Sequence, residues 1–164
     1  MCSSDRTIIS SDKDMMQLVG DSVTMYDGLK DRRIGIDQVV EKFGVRPDRV
    51  IDVQALAGDS SDNVPGVPGI GIKTAAELIN RFGDLDAVLD QAAEITQPKR
   101  RENLMAHADL ARLSRRLVTL VDDVELDDGL ADLHAGPPDV AVPTGSPTAR
   151  KLRGLVGRVD ARLG

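Results

Sequence analysis

Gly58-Asp59-Ser60-Ser61-Asp62-Asn63-Val64-Pro65-Gly66-Val67-Pro68-Gly69-Ile70-Gly71-Ile72-Lys73-Thr74-Ala75 is the stretch that decides how this chain is read. Its first fourteen residues hold four glycines and two prolines, a composition that makes consecutive turns rather than a helix or a strand. A helix is predicted directly after it, with Ala75, Leu78, Ile79 and Phe82 on one face and Gly83 as its stop. The segment is not a Walker loop, because Ile72 separates Gly71 from Lys73 where that loop needs Gly-Lys adjacent. A dinucleotide fingerprint also fails: position 74 is Thr where a third glycine is needed, and turns precede it instead of a strand.

The pattern hydrophobic-x-Gly-hydrophobic-Gly followed by a helix fits the hairpin of a helix-hairpin-helix element. Glycines let a backbone approach a phosphodiester closely, and the N–H groups at a helix start supply donors with a favourable dipole. Lys73 adds positive charge at the same place. Gly66, Gly69, Gly71, Lys73 and Thr74 are therefore the candidate DNA-backbone contacts, gripping phosphate without reading sequence. A tight turn between packed helices is the structural alternative.

Outward from this segment, Thr7-Ile8-Ile9-Ser10 reads as a strand, and Met15, Met16, Leu18 and Val19 suit a short helix ending at Gly20. Residues 23–26 and 33–36 flank Asp27-Gly28, a hairpin signal. Ile36, Val39, Val40 and Phe43 form an amphipathic stripe stopped by Gly44, and Pro47 opens a helix running to about Ala57. Asp84 caps a short helix through Val88 and Leu89. Pro98 opens a long helix to about Val118, with Leu110, Leu113 and Leu117 facing one way and Arg112, Arg115 and Arg116 the other. Residues 118–121 look strand-like, residues 136–147 hold four of the eight prolines and read as a linker, and the last sixteen residues read as a terminal helix.

Composition narrows the classes. The 164 residues carry only three aromatics, Tyr26, Phe43 and Phe82, which argues against modules that stack bases on rings. One cysteine and two histidines exclude a disulfide framework and make a thiolate or imidazole metal centre unexpected. A metal here would be a hard cation held by oxygen. The net charge of −6 is uneven: −4 over residues 1–64, +1 over 65–120 and −3 over 121–164. No apolar run approaches the roughly 18 residues that span a bilayer, and nothing resembles a signal peptide. The expectation is a soluble monomer of the cytoplasm, without a membrane partner.

Two aspartate clusters stand out. Asp12 and Asp14 follow the first strand, where α/β sheets place functional groups. Asp59 and Asp62 sit at the start of the glycine-rich segment. Taken alone, each pair reads as a helix cap, a dipole partner or turn chemistry. Their combination with the segment that follows adds the functional reading. Lys99, Arg100, Arg101, Arg112, Arg115 and Arg116 read as a solvated charged face, with an auxiliary backbone contact as the alternative.

Ile8-Ile9-Ser10-Ser11-Asp12-Lys13-Asp14-Met15-Met16-Gln17-Leu18-Val19 resembles the "DKDxxQLV" block of bacterial 5′–3′ exonucleases, and residues 57–75 resemble their "GDSSDNIPGVPGIGxKTA" segment. This is the nuclease domain at the front of DNA polymerase I and in stand-alone flap endonucleases; the likeness runs from about residue 7 to 125, and the stand-alone form is the nearer comparison. The resemblance implies an α/β, mostly helical chain: the C-terminal portion of a PIN-like flap-endonuclease domain, whose full fold is a mixed sheet flanked by helices. Residues 1–35 would be the late part of that core. Residues 36–125 would be a helical DNA-binding subdomain, with a helix–three-turn–helix over about 47–82, and residues 126–164 a linker and terminal helix.

It further implies 5′–3′ exonuclease or 5′-flap endonuclease chemistry on DNA by two divalent ions, Mg²⁺ or Mn²⁺. Asp12, Asp14, Asp59 and Asp62 match metal-site aspartates, and a monovalent cation such as K⁺ would sit at main-chain carbonyls near Val67 and Ile70. The upstream strand aspartate, arch and acidic cluster of the family have no counterpart before Asp12. The alternative expectation is therefore a non-catalytic duplex-binding module that keeps only the hairpin; an interaction domain with capping aspartates is a third. The first strand is expected to present an exposed edge.

Overall fold

β-Branched residues near the front of the chain build a small sheet. In the computed structural model, which describes residues 6–125 and 127, β1 (Arg6–Ile9) runs parallel to β2 (Val23–Asp27), and β2 pairs antiparallel with β3 (Arg32–Ile34). The order β1-β2-β3 leaves β1 at an edge with Ile9 76% exposed, while Met25 on the central strand is fully buried. The Asp27-Gly28 turn forms as expected: Asp27 Oδ1 accepts the N–H groups of Leu29 and Lys30 at 3.0 and 3.3 Å. Between β1 and β2 a 3-10 turn spans Lys13–Leu18, with Asp12 as its N-cap.

Among the described residues six helices follow: α1 (Ile36–Phe43), α2 (Val50–Ala57), α3 (Ile72–Phe82), α4 (Leu85–Asp90), α5 (Pro98–Ala106) and α6 (Ala108–Val118). α1 is closed at its start by Gln38, whose Oε1 accepts the Gly35 N–H at 2.8 Å, and it buries Val39 and Phe43 as the spacing predicts. Pro47 opens a 3-10 turn, Pro47–Arg49, that leads into α2. α2 is buried on nearly every side, with Val50, Val53, Ala55 and Leu56 in the core, and packs against both α3 and α6. α3 turns Ala75, Leu78 and Ile79 inward, and Asp84 caps α4 by accepting the Ala87 N–H at 2.8 Å.

Two expectations need correction. The long helix from Pro98 breaks at His107, whose backbone (φ −119°, ψ 24°) ends α5 and begins α6. The break lets α5 lie over the hairpin while α6 runs along α2; one straight helix could not reach both. The inward face of α6 is neither the leucine row nor the arginine row. Ala111, Ser114 and Val118 point inward, whereas Leu113 and Leu117 are 44% and 57% exposed. Small residues let α6 approach α2 closely, so the leucine row is left outside. Second, residues 118–121 form no strand: Thr119 caps α6 through Oγ1 to the Arg115 carbonyl (2.7 Å), and the Leu120 N–H goes to Gln17 Oε1 (3.1 Å).

Residues 1–122 form one unit and residues 123–164 a second. The linker and terminal-helix expectations for residues 136–164 lie outside the described residues. Among the described residues, no helix is long and apolar enough to cross a membrane.

Candidate metal centre and nucleic-acid interface

The chain leaves β1 through Ser10, whose Oγ accepts the Asp12 N–H at 3.1 Å. Asp12 Oδ1 in turn accepts the Asp14 N–H at 3.0 Å, which starts the 3-10 turn and aims Asp14 toward α2. There Gln54 Nε2 donates to Asp14 Oδ1 at 2.6 Å. Gln54 is only 3% exposed, and its Oε1 has no partner. The reverse amide orientation would set two acceptors against each other, so the carboxylate fixes the side chain at the cost of one buried carbonyl. Gln17 secures the same turn from the other side: Nε2 donates to the Asp14 and Val118 carbonyls, both at 3.0 Å.

Asp59 and Asp62 come from a loop that closes on itself after α2. Asp59 and Val64 exchange both backbone hydrogen bonds at 2.8 Å, and Asp59 Oδ1 accepts from Ser61 N and Oγ at 3.0 and 2.7 Å. This Asx turn is the local chemistry of Asp-Ser-Ser-Asp-Asn. It brings one carboxylate oxygen from each of Asp14, Asp59 and Asp62 within 4.8 Å of one another. Three of the four expected aspartates thus converge from segments some forty-five residues apart in sequence. Asp12 lies outside this group; its Oδ1 caps the turn that carries Asp14.

Lys13 sits at the same cluster. Its Nζ lies 2.5 Å from Asp59 Oδ2 and 3.6 Å from Asp62 Oδ2, and it donates to Ser61 Oγ at 3.0 Å. The Asp59 hydrogen bond, opposed by desolvation, raises the Lys13 pKa. At Asp59, burial works to raise the carboxyl pKa, but the hydrogen bonds from Lys13 and Ser61 outweigh it and the net shift is downward. Three carboxylates converging with hard oxygen donors fit a hard divalent cation, and the Lys13 ammonium now sits against two of them.

The hairpin is ordered by two glycines that do different work. Pro68-Gly69 forms a type II turn: Gly69 has φ +78°, and the Ile70 N–H donates to the Val67 carbonyl at 3.1 Å. Asn103 on α5 clamps the turn by donating to the Pro68 carbonyl at 2.7 Å. Gly66 (φ +62°) is buried against the end of α2, and its N–H donates to Ser114 Oγ at 3.0 Å. Gly66, one of the expected backbone-binding residues, thus has its N–H bonded inside the protein.

Gly69, Gly71 and Lys73 are exposed. Gly71 is the N-cap of α3 and offers no side chain to its first turn, whose opening residues Ile72 and Lys73 are exposed. Thr74 Oγ1 accepts from Arg100 at 3.5 Å. Val67 and Ile70 are buried and belong to the core. Several of the basic residues are spent on neighbours: Arg115 pairs with Asp86 at 2.7 Å, Arg112 with Asp109 at 3.2 Å, and Arg100 with Glu77 at 3.8 Å.

Gln54, Lys13 and Ser114 were not singled out as site residues from the sequence. The available signal for Gln54 and Ser114 was a lone polar residue on an otherwise buried helix face. Lys13 stood between two candidate ligands.

Residues 45–141 match the family described as 5′-3′ exonuclease, C-terminal SAM fold. DNA polymerase I of Rhizobium leguminosarum is 61% identical over 123 residues, which is 75% of this chain and 12% of that protein. Flap endonuclease Xni of Klebsiella pneumoniae is 39% identical over 128 residues, 78% of this chain and 51% of that protein. A solved structure of a substituted T5 5′-exonuclease superposes with a TM-score of 0.64 at 30% identity, covering 70% of this chain and 47% of that one. A T5 flap endonuclease solved as a pseudo-enzyme–product complex with DNA and metal ions gives a TM-score of 0.65 at 29% identity, over 70% of this chain and 43% of that one. The chain therefore spans about half the length of the flap endonucleases it matches, and about an eighth of the polymerase.

Proposed function

We infer the function from one premise: this chain belongs to the 5′–3′ exonuclease family, in its C-terminal, SAM-fold part. On that premise we propose that it serves structure-guided hydrolysis of DNA phosphodiesters at a 5′ end or 5′ flap, in the bacterial cytoplasm. The carrying observation is the convergence of Asp14, Asp59 and Asp62 on the same unit as an open α3 N-terminus.

In this reading Asp14, Asp59 and Asp62 hold Mg²⁺ or Mn²⁺, and Asp12 places Asp14 while standing by as a further ligand. Gln54 fixes the direction in which Asp14 presents its free oxygen. Divalent ions bound there supply activation of water and charge neutralisation at the phosphate. Gly69, Gly71, Lys73 and Thr74 hold the duplex backbone through N–H groups and one positive charge, without reading bases. The carbonyls around Val67 and Ile70 are where a K⁺ ion would bind.

The second reading is a duplex-binding module without chemistry. It is favoured by the acidic cluster holding three carboxylates, one short of the four in the expectation. A 5′-flap duplex with Mg²⁺ separates the two. Cleavage abolished by Asp62→Ala supports the nuclease. Binding without cleavage, weakened by Lys73→Ala and by salt, supports the module. Absence of binding at low salt overturns both.

A further inference from the structure

The ammonium of Lys13 lies against two of the three carboxylates of the candidate metal site. It contacts Asp59 Oδ2, Asp62 Oδ2 and Ser61 Oγ at once, which is more than a surface ion pair requires. Those two carboxylates belong to the group whose oxygens lie within 4.8 Å of one another. A cation coordinated by that group would lie close against the ammonium. Like charges at that separation repel in a site that is only partly exposed.

We propose that Lys13 is the resident counter-ion of the acidic cluster and that a divalent ion binds by displacing it. This rests on the reading of Asp14, Asp59 and Asp62 as metal ligands. The exchange is charge-ordered: three carboxylates with Lys13 carry −2, and one divalent ion in its place leaves −1. The side chain is built to leave, being 30% exposed on a flexible four-carbon stem whose head is readily hydrated. While it stays, it ties the turn after β1 to the loop after α2 across 48 residues of sequence. Without a metal ion, that tie keeps the loop carrying Asp59 and Asp62 in place against carboxylate repulsion. With one, it acts as a competitor that weakens the site.

Binding of Mn²⁺ to the whole chain, followed by electron paramagnetic resonance, tests this with wild type, Lys13→Met and Lys13→Gln. Both neutral variants are expected to bind Mn²⁺ about tenfold more tightly, the scale of one lost charge-assisted hydrogen bond. Without metal they are expected to melt at lower temperature than wild type, and Mn²⁺ should restore them. In wild type the nitrogen resonance of the Lys13 ammonium should move to its hydrated position as Mg²⁺ is added. If wild type binds Mn²⁺ and the neutral variants bind it equally or more weakly, displacement is overturned and the metal site stands. If neither wild type nor the neutral variants bind better than Asp14→Asn, the metal site itself is overturned and displacement with it.

Discussion

Gly66→Ala is the sharpest test of how the hairpin is built. A Cβ at this position would land on Gly58 N, 2.6 Å from Gly58 Cα and 2.7 Å from Ala57 C. All three atoms are backbone at the end of α2, so no side chain can swing aside. The left-handed backbone (φ +62°) costs an alanine about 1–2 kcal/mol. Overpacking adds about 1–3 kcal/mol, at the upper end where the obstacle is main chain. The total is about 3–5 kcal/mol, a large share of the roughly 5–15 kcal/mol that holds a domain together.

Two neighbours calibrate this figure. Gly69→Ala meets only Asn103 Nδ2 at 3.4 Å and pays mainly the φ +78° backbone, about 1–2 kcal/mol. Gly71→Ala meets nothing within 4 Å at negative φ and should be close to neutral. Urea denaturation followed by circular dichroism gives all three differences on one scale. A Gly66→Ala loss within about 1 kcal/mol of the Gly69→Ala loss would refute the reasoning, because it would mean the hairpin can lift off α2 at little cost.

Ser114→Ala removes the only acceptor seen for the buried Gly66 N–H and should cost about 1–3 kcal/mol by urea denaturation, where an exposed serine would cost almost nothing. Lys73→Ala should leave the unfolding midpoint unchanged, because the side chain is exposed, but lower duplex affinity and reduce the slope of log K against log salt by about one unit in a fluorescence anisotropy titration. Asp52 gives a pH signature. Burial raises its pKa, against the Leu85 N–H and Arg49, which lower it. The folded state thus holds its proton to higher pH than the unfolded chain does, so the Asp52 contribution grows as pH falls through the folded value toward the ordinary one and is lost as pH rises. Urea midpoints of wild type and Asp52→Asn between pH 7 and pH 4 should therefore shift in favour of wild type on the acid side, and parallel curves would refute the assignment.

What the sequence made legible follows from how local the physics is. The Pro68-Gly69 turn, the start of α3 and the Asp84 cap depend on residues within a few positions, and each is where its chemistry predicts. Which face of α6 turns inward is not legible in the same way, because a row of leucines satisfies the helical period whichever way the helix is turned. What turns it is the closeness of α2, which admits Ala111 and Ser114 and excludes larger side chains, and that is a tertiary fact. Gly66 illustrates the same limit. Its positive φ suits a turn in any reading, yet its contact with α2 and its bond to Ser114, 48 residues away, decide that it is scaffold.

The aspartates and the hairpin answer to one pair of helices. α2 holds Asp14 through Gln54 at 2.6 Å, and its C-terminal end leads directly into Asp59. α6 holds the hairpin through Ser114 and the turn bearing Asp12 and Asp14 through the Val118 carbonyl. The spacing between the acidic cluster and the start of α3 is therefore set by how α2 and α6 pack, not by the loops that carry the charged groups. Loop residues contribute the chemistry, but the buried polar side chains Gln54 and Ser114 register it to the core. Each is a polar group in an apolar interface, where an unmet bond is expensive, so both connections are specific to one arrangement. A nuclease that must bring one phosphodiester to its carboxylates while gripping the duplex some distance away needs such a fixed interval. Under the proposed function, that interval would be set by the α2–α6 interface through Gln54 and Ser114.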